Sequence, residues 1–298
     1  MENKEKRKFH ILSPSQRENW KMYIYKFSRN PLSVIGLVIV VITLFLAIFG
    51  RFIVPYPESL GAFADITQTK QPPSLQHLFG TDLLGRDNFS RCIYAFGDAM
   101  KMAVIVLAIS IPVGVILGLI AGYYRGKAAD FVVMRIADVC LALPSTVLAL
   151  CIAAMLEPNM TNSLIAITVT WWAWYARMVY ASAASYSREY FVKSAELVGA
   201  SKAHILFKEI LPNCLSPVLT KAALDVGWVI LTGATLSFVG LGVQPPEPAF
   251  GSMISDSMQY MPEQWWLTVF PALCIAFIIL GFNLFGDGIR DMLDRGRT

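Results

Sequence analysis

Residues 122–130 read GYYRGKAAD, two glycines and a lysine in an order that superficially resembles a phosphate-binding loop. Such a loop cradles phosphates on backbone N–H groups. It needs a wider gap between its glycines and a Ser or Thr after the lysine. Here only Tyr123, Tyr124 and Arg125 separate Gly122 from Gly126, and Ala128 follows Lys127. The run is not a phosphate loop, and the chain is not expected to hydrolyse ATP by itself. The three histidines are scattered, so no metal site is visible. Cys92, Cys140, Cys151, Cys214 and Cys274 show no paired spacing and suggest no disulfide framework. Asp138 and Asp225 stand at the ends of apolar runs, where water is expected to reach them. Within those runs no Ser or Asp has a suitable partner, which argues against a membrane-embedded enzyme.

The polar stretch that remains is YFVKSAELVGASKAHILFKEILPN, residues 190–213. Tyr190 to Val198 suits a short helix that Gly199 terminates at its C-cap. Ser201 is placed to cap a second helix. That helix should stop before Pro212, because proline disfavours helix for the residue preceding it. Phe191, Ala195 and Val198 share one face, and Ile205, Leu206 and Ile210 give the second helix an apolar side. The result is a helix–turn–helix hairpin over 188–213, with Gly199, Ala200 and Ser201 at the bend. A short turn would suffice to join two helices, so a dedicated hairpin suggests a docking element.

The elements that must carry this hairpin follow from the charge pattern. The 298 residues are 55% hydrophobic and 15% charged, against about 25% charged in an average soluble domain. Six intervals contain no Asp, Glu, Lys or Arg: 32–50, 102–124, 139–156, 158–176, 226–246 and 264–286. Each is long enough to cross a hydrocarbon core of ~30 Å as a helix. The expectation is an all-α membrane protein with six transmembrane helices.

Lys and Arg strongly alternate between the intervening segments. Twenty of the 25 fall in the N-terminal tail, the segments 125–138 and 177–221, and the C-terminal tail. The positive-inside rule then puts both termini in the cytoplasm. The net charge of +4 reports topology rather than affinity for nucleic acid. The polar start is long and the first apolar run exceeds an h-region, so no cleaved signal peptide is expected.

The organisation read from these patterns is as follows. Residues 1–31 form a cytoplasmic tail with an interfacial helix, marked by the Ser15/Glu18 capping box and by Trp20, Tyr23 and Phe27. Residues 32–54 form the first transmembrane helix, and 55–100 an extracytoplasmic loop. Residues 101–286 form a five-helix core containing the hairpin, and 287–298 a cytoplasmic tail. Gly114, Gly118 and Gly122 make a small-xxx-small stripe for close helix packing, within the chain or between two copies. Residues 247–263 are long enough for a short re-entrant or surface helix on the outer side.

The hairpin resembles the signature loop of bacterial ABC-importer permeases, of pattern EAA-x3-G with a later Leu-Pro. Here it reads Lys193-Ser194-Ala195, then Gly199, then Leu211-Pro212. The chain more particularly resembles the C-type permease subunit of the dipeptide/oligopeptide/nickel importer family. The segments GTDLLGRD (80–87), LGLIAGYYRG (117–126), MRIADVCLALPS (134–145), LSFVGLGVQPPEP (236–248) and FNLFGDGIRDMLD (282–294) carry the likeness. It covers nearly the whole chain.

The resemblance implies the type I importer permease fold in the bacterial inner membrane. It also implies a homologous second permease, two cytoplasmic ABC ATPases that use ATP and Mg, and an extracytoplasmic solute-binding protein. The hairpin would sit in a groove on the ATPase, with Gly199 providing the bend and Ala195 a small contact surface. The departure is Lys193-Ser194 where the pattern has Glu-Ala. Either Lys193 meets an acid on the ATPase, or Glu196 on the next turn supplies the missing contact. The cargo implied is a peptide or a related small solute, with nickel or a metal chelate as the alternative. A stand-alone carrier is the competing class. Thr170, Trp171, Trp174 and Met178 are of pathway-lining type, and equally of core- or lipid-facing type.

Overall fold

The computed structural model describes residues 14–293, with side chains from Met22 onward. The Ser15, Glu18 and Trp20 side chains therefore lie outside the described residues. The described chain is almost wholly helical, apart from 3-10 turns and one isolated bridge, Thr81 to Asp87.

Helix α1 (Pro14–Arg29) runs into α2 (Pro31–Ile53) through Asn30, whose side chain accepts from the Leu32 N–H. Proline at the first helical position suits that start. Only 28% of the apolar window of α2 is buried, so most of its Val, Ile, Leu and Phe side chains are left for lipid or another membrane chain to cover. Its buried edge uses small residues. A Cβ on Gly36 would press into the backbone of Leu284 and Phe285.

Helix α3 (Asn88–Tyr123) starts inside the expected extracytoplasmic loop. A count of charge gaps cannot see it, because its first turns carry Arg91, Asp98 and Lys101. At 1.5 Å per residue α3 is about 54 Å long, which outruns the hydrocarbon core. It packs along α6 (Met160–Tyr186) through the glycine stripe. A Cβ on Gly114, Gly118 or Gly122 would collide with the carbonyl oxygen of Trp172, Ala176 or Tyr180. The stripe is thus used within the chain.

The interval 139–156 is not one straight helix. It is divided between α4 (Ala128–Ala142) and α5 (Ser145–Ala154), which meet at 89°. Pro144 explains the break, since it forces Leu143 into an extended conformation at φ −108°, ψ 149°.

After the short helix α7 (Tyr190–Leu197), α8 runs from Lys202 to Phe238. This corrects the expected stop before Pro212. Residues Ile205–Ile210 form a π turn, and the Leu211 N–H reaches back to the Leu206 carbonyl. The wider turn carries the chain past proline, whose absent N–H would break an α-helical ladder. On the expected outer side lies α9 (Phe250–Ser257), and α10 (Trp266–Leu293) ends the described chain. Helix α10 extends into the expected C-terminal tail and packs on α1 through Phe285 and Phe27, ring centroids 6.0 Å apart.

Among the described residues, α2, α3, α8 and α10 are long and apolar enough to cross a membrane, and the bent α4–α5 pair makes up to a fifth. Helix α6 has 27 residues but carries Thr161, Asn162, Ser163, Thr168 and Thr170.

Candidate functional site

The hairpin is built by local rules. Gly199 has φ +81°, the left-handed conformation that costs other residues about 1–2 kcal/mol. The Ala200 N–H donates to the Ala195 carbonyl and the Gly199 N–H to the Glu196 carbonyl, both at 3.0 Å. This is a Schellman cap. The Ser201 hydroxyl then accepts from the His204 N–H at 3.2 Å and starts α8.

Ile205, Leu206 and Ile210 are buried against the bundle. The expected apolar face of α7 is corrected. Its buried anchor is Val192, with Ala195 half-buried, whereas Phe191 is exposed and Val198 is 85% exposed. Packing of Val192 on the core sets the rotation of α7, and the cap turns Leu197 and Val198 outward. Leu197 is 90% exposed, and a Cβ at Gly199 would meet no neighbour. The tip is thus open, apolar and small. Leu211 begins the α-helical part beyond the π turn, and Pro212 follows it in the first turn.

Glu196 braces this tip from behind. Its carboxylate accepts from the Tyr123 hydroxyl at 2.5 Å and from the Lys202 ammonium at 2.9 Å. Lys202 also donates to the Tyr123 oxygen at 2.7 Å. These bonds hold the Glu196 carboxyl below the usual carboxylate range. Tyr123 is the last residue of α3, so the triad ties the hairpin to the longest packed helix. Lys193 and Ser194 are exposed on α7.

Two acids beside the apolar runs, Asp138 and Asp225, are each paired within the chain. Asp138 is half-exposed and pairs with Arg177. Asp225 is 3% exposed, contrary to the expected access by water. It accepts from Lys221 at 3.0 Å and from the Trp171 indole at 3.2 Å. Charge counting misplaces it because the charge-free run 226–246 overshoots the helix end. The helix ends at Phe238, so a crossing of about 20 residues must draw on residues before 226. Thr170 and Trp171 are buried and Met178 packs on the core, while Trp174 is exposed and donates to the Ser145 hydroxyl at 3.0 Å.

Another cluster closes the other end of α3. Asp87 caps it, accepting from the Ser90 N–H at 2.7 Å and meeting His77 at 2.9 Å. Arg86 donates to Asp82 at 2.7 Å, and buried Arg91 donates to the Ser59 carbonyl at 3.0 Å. Asp82, Arg86 and Arg91 line a cavity of about 540 Å³ with Pro246, Glu247 and Asp256. Burial pushes the Asp256 carboxyl up. The segments GTDLLGRD and QPPEP thus converge on one folded cap, which their separation in sequence conceals. Among the described residues no group of three or more His, Cys, Asp or Glu is placed to hold a metal ion.

Two family descriptions match the chain. "Binding-protein-dependent transport system inner membrane component" covers residues 114–298, and "N-terminal TM domain of oligopeptide transport permease C" covers 18–73. The chain belongs to the binding-protein-dependent inner-membrane permease family. One relative in this permease family is the probable D,D-dipeptide transport system permease protein of Escherichia coli K12, 38% identical over 93% of this chain and 92% of the relative. The dipeptide transport system permease protein of Alkalihalophilus pseudofirmus is also 38% identical, over 92% and 89%. The glutathione transport system permease protein of Pectobacterium atrosepticum is 33% identical, over 95% and 93%. Among solved structures, the inward-facing MetNI methionine ABC transporter matches with TM-score 0.54 and 16% identity. It covers 70% of this chain and 98% of that one, and shows the shared permease fold.

Proposed function

We propose that this permease is one half of the membrane pathway of an ATP-binding-cassette importer for short peptides. The observation that carries the coupling role is the open apolar tip at Leu197, Val198 and Gly199, held rigid by Glu196, Lys202 and Tyr123. An exposed apolar patch on a braced support is what a partner protein's groove requires. Lys193, Ser194, Ala195, Ala200 and Ser201 flank that tip, and Leu211-Pro212 continues into α8. A tilt imposed on the hairpin passes into α8 without an intervening loop. Because Glu196 is engaged within the chain, Lys193 is the residue left to meet an acid on the ATPase.

The polar helix α6 crosses the membrane inside the bundle, which with α2, α3, α4–α5, α8 and α10 makes six spans with both termini in the cytoplasm. The chain is not itself an enzyme. Two partner ATPases use ATP and Mg, a homologous second permease completes the pathway, and a solute-binding protein delivers cargo to the outer cap. The relatives are named for dipeptide, D,D-dipeptide and glutathione transport, which favours a short peptide over nickel or a metal chelate.

The test is purification from the native membrane in mild detergent, with partners identified by mass spectrometry, followed by peptide uptake in liposomes. Recovery of two ATPases and a second permease, with ATP-dependent uptake of dialanine, is the expected result. A chain recovered alone, or one that moves solute without ATPases, overturns it.

A further inference from the structure

The Lys221–Asp225 pair lies within α8, with Asp225 about 20 Å before its end at Phe238 at 1.5 Å per residue. Asp225 therefore falls inside the stretch that must cross the hydrocarbon core, and Lys221 stands at its cytoplasmic edge, in a cavity shared with Arg290 of the expected cytoplasmic tail. Stability alone does not explain them there, because well-packed apolar residues generally serve as well as a buried ion pair. Ionisable groups inside a membrane bundle usually mark the route of a solute or ion.

The geometry shows which member of the pair is available. Asp225 is spent on the inner side, with one oxygen on Lys221 and the other on the Trp171 indole. Lys221 is 27% exposed, and its ammonium has three N–H donors, of which Asp225 takes one. The rings of Trp174 and Tyr175 lie 5.5 Å from it and limit its swing. Lys221 opens on a cavity of about 640 Å³ shared with Thr220, Trp228 and the exposed Arg290 of α10. That cavity presents two cations and one buried acid whose oxygens are already engaged. It is suited to an anionic oxygen group.

We infer that Lys221, fixed by Asp225, binds the carboxylate of the solute as it passes through the membrane. This rests on the importer reading above. Arg290 extends the cationic wall toward the end of α10, and exposed Trp228 offers an apolar surface for the side chain that accompanies the carboxylate.

The test uses the complete reconstituted transporter with its partner subunits and saturating, loaded binding protein. Lys221→Gln alone leaves Asp225 buried without a counter-charge and risks misfolding. The informative variant is therefore K221Q/D225N, which replaces the pair by neutral amides. Dialanine imported per ATP hydrolysed should fall about tenfold or more, the scale expected for loss of one charge-assisted hydrogen bond, and Lys221→Arg should retain it. Dialanine amide, presented at the same occupancy of the binding protein, should be imported by wild type and double variant at similar rates. Equal loss for acid and amide, or no loss for either, overturns the inference. An anionic lipid headgroup has the same chemistry, so the assay is repeated in purely zwitterionic liposomes. If wild type there falls to the level of the double variant, the occupant is lipid and the inference fails. If wild type imports no peptide in any liposome, the importer reading fails first and this inference with it.

Discussion

The two ends of α3 are held by opposite means. At its start, Asp87, Arg91 and Ser59 are each 5% exposed or less and bond to one another's segments, so charge is spent inside a folded cap. At its end, Tyr123 holds Glu196 and Lys202, all partly open to water, while Leu197 and Val198 present bare apolar surface beyond them. The cap buries polar groups and is stabilised by them. The hairpin exposes apolar groups and uses polar ones only as a brace. A surface meant to stay shut and a surface meant to meet another protein are thereby distinguishable on physical grounds.

The helix joining the two ends should be the most sensitive to change. Gly118→Leu forces a side chain into the Ala176 carbonyl, and overpacking of this kind costs roughly 3 kcal/mol or more. The variant should fail to accumulate, or melt far below wild type in detergent, whereas Gly61→Leu, in open space at φ −108°, should accumulate normally. Asp87→Ala comes next. It removes the α3 cap and strands His77 and the Ser90 N–H, at a cost of about 2 kcal/mol. It should lower the melting temperature while leaving ATPase binding intact. Equal losses of stability and ATPase binding would erase the contrast between the two ends.

The hairpin should show the reverse pattern. Leu197→Asp and Val198→Asp change side chains that are 90% and 85% exposed, so they should leave the melting temperature nearly unchanged yet abolish co-purification of the ATPases. Gly199→Ala adds only the left-handed strain, about 1 kcal/mol, because its Cβ meets no neighbour. Its stability loss should be small and its effect on transport per ATP large. Normal transport by the more bulky Gly199→Trp would end the docking role.

What the sequence made legible divides along the same line. Gly199 and Ser201 could be placed because a left-handed cap and an N-cap are decided by the residue's own chemistry. The buried side of α7 could not, because Val192 rather than Phe191 was chosen by contact with helices distant in the chain. Charge-free intervals located α2 and α10 well. They failed where a helix carries charge beyond or within the membrane, as α3 does at Arg91 and α8 at Asp225. They also failed where an uncharged residue breaks the helix, as Pro144 does between α4 and α5. The outer cavity was invisible because its walls, 80–87 and 245–247, meet only in three dimensions.

The gentlest probe is pH, and it separates the brace from the tip. Glu196 has its carboxyl held below the unfolded value of 4.5 by Tyr123 and Lys202. A depressed acid contributes its stability above the unfolded pKa, and the contribution fades as pH falls through the folded value. Protease cleavage in the turn 198–201 should therefore be flat across the neutral range and rise only below about 4.5. In Glu196→Gln the acid-induced rise should vanish, because no group left in the brace titrates at acid pH, and cleavage at neutral pH should be modestly higher than in wild type. Burial raises Asp256 in the outer cap, so protonating that residue relieves a penalty, the opposite sign to Glu196. Cleavage of the 80–87 segment should keep its wild-type pH profile in Glu196→Gln. Parallel loosening of both ends would mean that Glu196 does not hold the hairpin independently of the cap.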